Sequence, residues 1–319
     1  MHGMRTVLVT GAIGSGKSEV CRYLSSLGYP VYDSDSRTKA LYENVPGLKS
    51  RIEDALGVPF AEIGVIFSDD GKRETLESIV YPLVTEDFME WRDSQESDLV
   101  FLESALMLQK PQFDSLYDEV WLVRAPFEVR AGRNPKVMQR DSLQHFDLSR
   151  VDRVIDNNTT IENLHNKIDR IMKTDLARIL SVSGQHGLYK YLAQARNGAI
   201  AESLIDGKRT AFTSSNRITT LEDIAIYTSE GEMKLDKVFG AIHDYLGDKE
   251  APSPKADSKE LESLFAGAIP NYDADRFYVS HMRKVVDWYD QLSKHASLEF
   301  MTDEDRKAEY GAEDAEEQA

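Results

Sequence analysis

The sequence is poor in cysteine and in positive charge. Cys21 is its one cysteine, which excludes an internal disulfide framework and a paired-cysteine redox or zinc site. The formal net charge of −17 argues against a general binder of nucleic acids or acidic membranes, because such a protein needs a basic face. The histidines show no metal-ligand spacing, so no metal is assigned to them.

Long apolar runs are also missing. No stretch approaches the roughly 18 residues of a membrane-spanning helix, and the N-terminus leads directly into a predicted core strand, which leaves no room for a signal peptide. We therefore expect a cytoplasmic protein. Its 319 residues, 41% of them apolar and 29% charged, suit a soluble chain of two domains.

What the sequence does contain is a phosphate-loop motif after an apolar strand. The motif comprises Gly11, Ala12, Ile13, Gly14, Ser15, Gly16, Lys17 and Ser18. It fits G-x-x-x-x-G-K-[ST], in which backbone N–H groups and a helix N-terminus hold phosphate oxygens. Lys17 can reach the β- and γ-phosphates and the Ser18 hydroxyl can ligate Mg²⁺. The motif predicts a site for ATP and Mg²⁺.

Carboxylates follow two further predicted strands. Asp33 and Asp35 come after one strand, where ligands bind in open α/β sheets. Asp33 can act as the general base for a substrate hydroxyl, although Asp33 or Asp35 can equally cap the following helix. Glu103 ends another strand, either as a residue that organises Mg²⁺ or water or as an ordinary strand end. We expect Asp33, Asp35 and Glu103 to line the substrate site.

Arginines are concentrated after a later strand. They are Arg124, Arg130, Arg133 and Arg140. Arginines near a phosphoryl-transfer site stabilise transition-state charge, and Arg133 is the predicted catalytic one. In an acidic protein some of the others are solvated surface charges.

Five apolar strands alternate with helical patterns in the first half. They begin near residues 6, 29, 98, 118 and 151. Such alternation predicts an α/β fold of the phosphate-loop NTPase kind, with a parallel sheet wound on both sides by helices.

Several motifs in fixed order resemble those of dephospho-CoA kinase over about residues 4–171. They are Gly11–Ser18, Val31–Asp35, Leu76–Pro82, Phe101–Ala105 and Val154–Asn158. The resemblance implies Mg²⁺-assisted phosphorylation of the ribose 3′-hydroxyl of dephospho-CoA by ATP. It implies that Asp33 is the base, that Lys17 and Ser18 hold ATP·Mg²⁺, and that Asn157 lies near the nucleotide base. The segment around Arg130 and Arg133 would then belong to the lid.

The chain also departs from the family pattern. An Arg-x-x-Leu-Ala element before Ile66 has no clear counterpart, the lid after Arg133 is shorter, and the usual His-Pro is Tyr81-Pro82. A short lid excludes water less well. Two alternatives therefore stay open: a catalytically weakened ATP-binding regulatory module, and another small-molecule kinase of this fold.

The second half predicts a different architecture. Short strands joined by Arg196-Asn197-Gly198 and Asp206-Gly207 have hairpin signals and favour a small β-rich domain of the SH3-like barrel kind, followed by helices. Ser183–Lys190 and Pro270–Arg276 resemble a family of small uncharacterised proteins, which suggests that two proteins became one chain. No partner is assigned to this half.

These patterns divide the chain into segments. The predicted segments are a kinase domain at 1–172, a β-rich domain at 173–247, a linker at 248–259, a helical segment at 260–300 and an acidic disordered tail at 301–319. The tail is predicted because acidic residues outnumber basic ones by six from residue 302 onward.

Overall fold

The structure of this chain, a computed structural model, describes residues 4–140, 146–213, 215–247 and 249–311, without the side chains of 67, 68, 139 and 140. The chain folds into two compact units, Met1–Ile168 and Asp169–Ala319. No helix in the described ranges is long and apolar enough to cross a membrane.

The first unit alternates strands and helices, as predicted. Its strands are β1 (Arg5–Thr10), β2 (Val31–Asp33), β3 (Leu99–Glu103), β4 (Glu119–Arg124) and β5 (Arg153–Asp156). Its helices are α1 (Lys17–Ser26), α2 (Ser34–Asn44), α3 (Leu48–Leu56), α4 (Asp70–Asp93), α5 (Phe127–Arg133), α6 (Val137–Arg140) and α7 (Ile161–Met172). The division between the units falls within α7.

The strands of this unit form a parallel sheet in the order β2-β3-β1-β4-β5, which confirms the predicted fold. The central strand β1 is apolar and buried, with Leu8 fully inaccessible, because flanking strands and helices cover both of its faces. Since parallel strands end at the same edge, the register brings Glu103 beside both Val9 and Asp33.

Helix α4 is the long element beside this sheet. Asp69 caps its N-terminus by accepting the Lys72 N–H, and Val80, Val84 and Phe88 bury one face. Pro82 lies inside the helix, where it has no N–H to donate, yet the helix continues to Asp93.

The second unit consists of strands followed by helices. Its strands are β6 (Ile179–Val182), β7 (Leu188–Ala195), β8 (Gly198–Ser203), β9 (Arg209–Thr213), β10 (Ile218–Thr220), β11 (Ala225–Thr228) and β12 (Gly231–Lys234). Its helices are α8 (Leu235–Leu246), α9 (Ser258–Ala268), α10 (Val279–His295) and α11 (Asp303–Tyr310).

The sheet of the second unit is antiparallel, in the order β10-β6-β7-β8-β9, and β11 pairs with β12. This confirms the predicted β-rich region followed by helices. In this order β9 and β10 are the edge strands of the described sheet, and closure into an SH3-like barrel stays a prediction. The other domain boundaries, apart from the two corrected below, stay predictions as well.

Two expectations for the second unit are corrected. The acidic tail is not irregular from residue 301, because α11 spans Asp303–Tyr310. Thr302 and Asp305 form a capping box at its start, and acidic residues in a first helical turn are favourable. The predicted linker ends earlier than expected, since Asp257 caps α9. Residues 312–319 lie outside the described part of the chain.

Candidate active site

The phosphate loop connects β1 to α1. Gly16 is the N-cap of α1, in a left-handed conformation, and no side chain caps the helix there. The first N–H groups of α1 are therefore available to an external acceptor, and they lie at the positive end of the helix dipole. This arrangement suits an anionic ligand such as a phosphate.

Two glycines of the loop have neighbours in the space that a Cβ atom would occupy. A Cβ atom on Gly11 would lie 2.2 Å from the carbonyl oxygen of Val123, and one on Gly16 would lie 2.1 Å from Nδ2 of Asn157. A larger residue in place of Gly11 would therefore displace backbone, whereas one in place of Gly16 would displace the end of the Asn157 side chain and would strain a backbone whose φ is +103°. The loop is thus shaped by β4 and by the end of β5.

Lys17 and Ser18 begin α1 and point toward different partners. The Lys17 ammonium donates to the Gly11 carbonyl at 2.9 Å, and burial lowers the pKa of this ammonium, against the raising influence of Glu103 and Asp35. Ser18 Oγ donates to Glu103 Oε1 at 2.6 Å. The lysine is therefore held over the loop, and the serine is tied to the end of β3.

Glu103 is partly buried at this edge of the sheet. Burial raises the pKa of its carboxyl group, while the hydrogen bond from Ser18 and the charge of Lys17 lower it. Cys21, one turn after Ser18 in α1, is 3% exposed, and burial together with the charge of Glu103 raises the pKa of its thiol.

Asp33 is both a strand end and a helix cap. Its Oδ1 accepts the N–H groups of Asp35 and Ser36, each at 3.1 Å, and its Oδ2 accepts the Ser36 hydroxyl at 2.5 Å. The capping alternative for Asp33 is therefore confirmed. It does not compete with a role in proton transfer, since the side chain stays partly exposed next to Glu103.

Asn157 and Arg133 contact the back of the loop. Asn157 is 6% exposed, and its Nδ2 donates to the Ser15 carbonyl at 2.8 Å. The Arg133 guanidinium is exposed and lies 3.4 Å from the carbonyl oxygens of Gly14 and Ser15 and from Asn157 Oδ1. The end of α5 is thus adjacent to the loop.

The other arginines are used differently. Arg124 forms an ion pair with Asp156 at 2.8 Å, and Arg130 is 8% exposed with its Nε donating to the Ala125 carbonyl at 3.0 Å. The side chain of Arg140 lies outside the described residues. Arg133 therefore directs its guanidinium at the loop, whereas Arg130 lies against Gly14 of the loop through its backbone.

The donor set at this edge suits a hard cation. A serine hydroxyl and a carboxylate, at Ser18 and Glu103, are 2.6 Å apart, and oxygen ligands of this kind are those that Mg²⁺ prefers. Within the described residues, no group of three or more His, Cys, Asp or Glu side chains is arranged to hold a metal on its own. A Mg²⁺ ion here would depend on phosphate oxygens as additional ligands.

Three family models match successive segments of the chain. The family model described as dephospho-CoA kinase matches residues 5–175. Two models described as domains of unknown function, DUF5606 and DUF6852, match residues 176–221 and 224–292.

Individual relatives match the first part. The dephospho-CoA kinase of Porphyromonas gingivalis is 41% identical over 147 residues, which are 43% of this chain and 71% of that protein. The dephospho-CoA kinase of Thermus thermophilus is 35% identical over 150 residues, 44% of this chain and 70% of that protein. Among solved structures, TT1252 from Thermus thermophilus is 29% identical and covers 53% of this chain and 96% of its own, with a TM-score of 0.46.

Proposed function

This chain belongs to the dephospho-CoA kinase family, and we propose that it transfers the γ-phosphoryl group of ATP to the ribose 3′-hydroxyl of dephospho-CoA, giving coenzyme A and ADP. The observation that carries the proposal is the convergence of the phosphate loop with Asp33 and Glu103 at one sheet edge. A cytoplasmic location belongs to the same proposal and stays a prediction.

In this proposal ATP is bound by the loop Gly11–Ser18. The uncapped N–H groups at the start of α1 hold phosphate oxygens. Lys17 leaves the Gly11 carbonyl for the β- and γ-phosphates, where its charge offsets the charge that develops during transfer. Asn157 fixes the loop through Ser15 and lies toward the nucleotide base.

Asp33 acts as the general base. The acceptor hydroxyl gives its proton to the Asp33 carboxylate as its oxygen bonds to the γ-phosphorus, and the bond from that phosphorus to the bridging oxygen of ADP breaks. The N–H groups of Asp35 and Ser36 hold the carboxylate in place. Asp35 contributes to the acceptor side of the site, and Arg133 stabilises the charge on the transferring group.

Ser18 and Glu103 are the residues that would hold Mg²⁺ together with the phosphates of ATP. Bound there, the ion would supply charge neutralisation for the phosphate oxygens. Glu103 additionally holds the Ser18 hydroxyl at the end of β3.

The test is ADP release by the full chain with ATP, Mg²⁺ and dephospho-CoA, beside adenosine and shikimate as alternative acceptors. We expect release that depends on dephospho-CoA and that falls by about 10²–10⁴-fold in Asp33→Asn, the range for loss of a general base. Lys17→Ala should lose both ATP binding and transfer. Arg22→Ala is the matched control, because Arg22 is a solvent-exposed cation on the same helix.

Other outcomes identify the alternatives. Preference for another acceptor would identify a different small-molecule kinase of this fold, since the phosphate loop does not select the acceptor. ATP binding that depends on Lys17, without transfer to any acceptor, would identify a weakened regulatory module and overturn the proposal.

A further inference from the structure

Three polar side chains, those of Tyr32, Arg37 and Asp87, form a cluster that includes two residues close to Asp33 in the sequence. Asp87 on α4 accepts the Tyr32 hydroxyl at 2.6 Å. The same carboxylate accepts two hydrogen bonds from Arg37 of α2, from Nε at 2.8 Å and from Nη2 at 2.6 Å. The Arg37 guanidinium also lies over the Tyr32 ring, 5.5 Å from its centroid. One carboxylate therefore joins β2, α2 and α4.

The two partners of Asp87 lie on either side of Asp33 in the sequence. Tyr32 immediately precedes Asp33 and is 1% exposed, so its ring direction is fixed by packing. Arg37 follows Asp33 by four residues, which is about one turn of α2. Fixing both residues to α4 restricts the turn at which strand becomes helix, and Asp33 is the residue at that turn.

The charges of the cluster persist at neutral pH. Partial burial alone raises the pKa of Asp87, but the hydrogen bonds from Arg37 and Tyr32 outweigh it and bring that pKa below its ordinary value. The hydrogen bond to Asp87 likewise raises the pKa of Arg37. A bidentate arginine–carboxylate pair combines charge with a fixed planar geometry.

Stability alone is a weak explanation for this cluster. The Arg37 side chain is 43% exposed and that of Asp87 19%, and ion pairs with that access to water contribute little to the free energy of unfolding. The cluster can orient its elements without a large net stabilisation, because three hydrogen bonds to the Asp87 carboxylate define the relative position of β2, α2 and α4.

We propose that Asp87 is a positioning residue that holds the turn carrying Asp33 against α4, through Tyr32 and Arg37. This inference rests on the proposed role of Asp33 as general base. A base must lie within hydrogen-bond reach of the hydroxyl it deprotonates, and small displacements of reacting groups cost up to about 100-fold in rate.

The first test is a double-mutant cycle in the full chain. Asp87→Asn should lower kcat about 10- to 100-fold and leave the KM for ATP unchanged, because the loop Gly11–Ser18 is not part of the cluster. The matched control is Glu90→Gln, an exposed carboxylate on the same helix, which should leave kcat unchanged.

The cycle is completed by Asp33→Asn. If Asp87 acts through Asp33, then Asp87→Asn has no further effect on kcat in the Asp33→Asn background, since residues that act as a unit are not additive. A rate loss of the same size in both backgrounds would overturn the proposal.

A second measurement does not need activity. The Asp35 and Ser36 N–H groups donate to the Asp33 carboxylate, so their hydrogen exchange reports the order of this turn. Asp87→Asn should accelerate exchange at these two amides, and Glu90→Gln should not. Unchanged exchange in Asp87→Asn would overturn the proposal, whether or not the wild-type chain has kinase activity. Absence of kinase activity in the wild-type chain would overturn only the proposed function.

Discussion

At Asp33 a single side chain has a structural role and a proposed chemical role, and two substitutions separate them. Asparagine caps helices as well as aspartate does, so Asp33→Asn should keep the cap of α2 while losing the base. Asp33→Ala should lose both, with an added loss of about 1 kcal/mol in the free energy of unfolding. Chemical denaturation and kcat measured on both variants check this prediction.

The control for the capping effect is Asp257, which caps α9 by accepting the Glu260 N–H at 2.9 Å. Asp257→Ala should also cost about 1 kcal/mol of stability but leave kcat at the wild-type value. If Asp33→Asn retained full kcat, the assignment of Asp33 as base would be wrong, and its side chain would serve only as a cap.

We expect that replacing Glu103 with a neutral residue raises the stability of the chain and lowers its activity. Burial raises its pKa in the folded chain, so its contribution to stability is complete below the unfolded pKa of about 4.3 and is lost as the pH rises through the folded pKa. Glu103→Gln carries no charge and should therefore unfold at a higher temperature than wild type at pH 7. The difference should shrink toward pH 4.5.

The same substitution should lower kcat, because it removes the carboxylate proposed to hold Mg²⁺ with Ser18. Thermal unfolding across this pH range and a Mg²⁺ titration of activity check the two halves of the prediction. A Glu103→Gln chain that is less stable than wild type at pH 7 would show that the hydrogen bond from Ser18 outweighs the burial of the charge.

Among the elements, those with a local signal were predictable from sequence. The strands of the parallel sheet are short apolar runs, and the phosphate loop is a contiguous motif whose glycines all have positive φ angles. The positions of Asp33 and Glu103 followed because parallel strands end at the same sheet edge.

Elements that depend on distant partners were not predictable. Asp87 is 50 residues from Arg37 in the chain, and no spacing rule connects a residue in a long helix to a strand end. Helix α11 has the composition of a solvated acidic segment, and two of the partners of its Arg306, Asp175 and Glu222, are far away in sequence.

Arg306 provides a test of α11. Its side chain is 15% exposed and faces Asp175, which is 6% exposed, and Glu222 at 2.5 Å. Arg306→Met keeps much of the apolar stem but removes the cation that faces the buried Asp175 carboxylate, so we expect a loss of about 3 kcal/mol. Asp303→Asn is the control, because this third partner is 85% exposed and should contribute less than about 1 kcal/mol. Equal losses in the two variants would contradict this account of α11.

At the scale of the whole molecule, the two units have separate cores. One cluster of buried apolar side chains is built from residues between Leu8 and Val120, and another from residues between Leu176 and Leu292. The family models divide near the same place, at residues 175 and 176. Units with separate cores can unfold in separate steps.

We therefore expect two unfolding transitions in the full chain, each with its own sensitivity. A nonhydrolysable ATP analogue with Mg²⁺ at about 100 times its Kd should stabilise the unit with the phosphate loop by about 2.7 kcal/mol, and Lys17→Ala should abolish that shift. Arg306→Met should lower the other transition and leave the ATP-dependent shift intact. Differential scanning calorimetry measures both, and a single transition that responds to ATP and to Arg306→Met alike would show that the two cores unfold as one cooperative body.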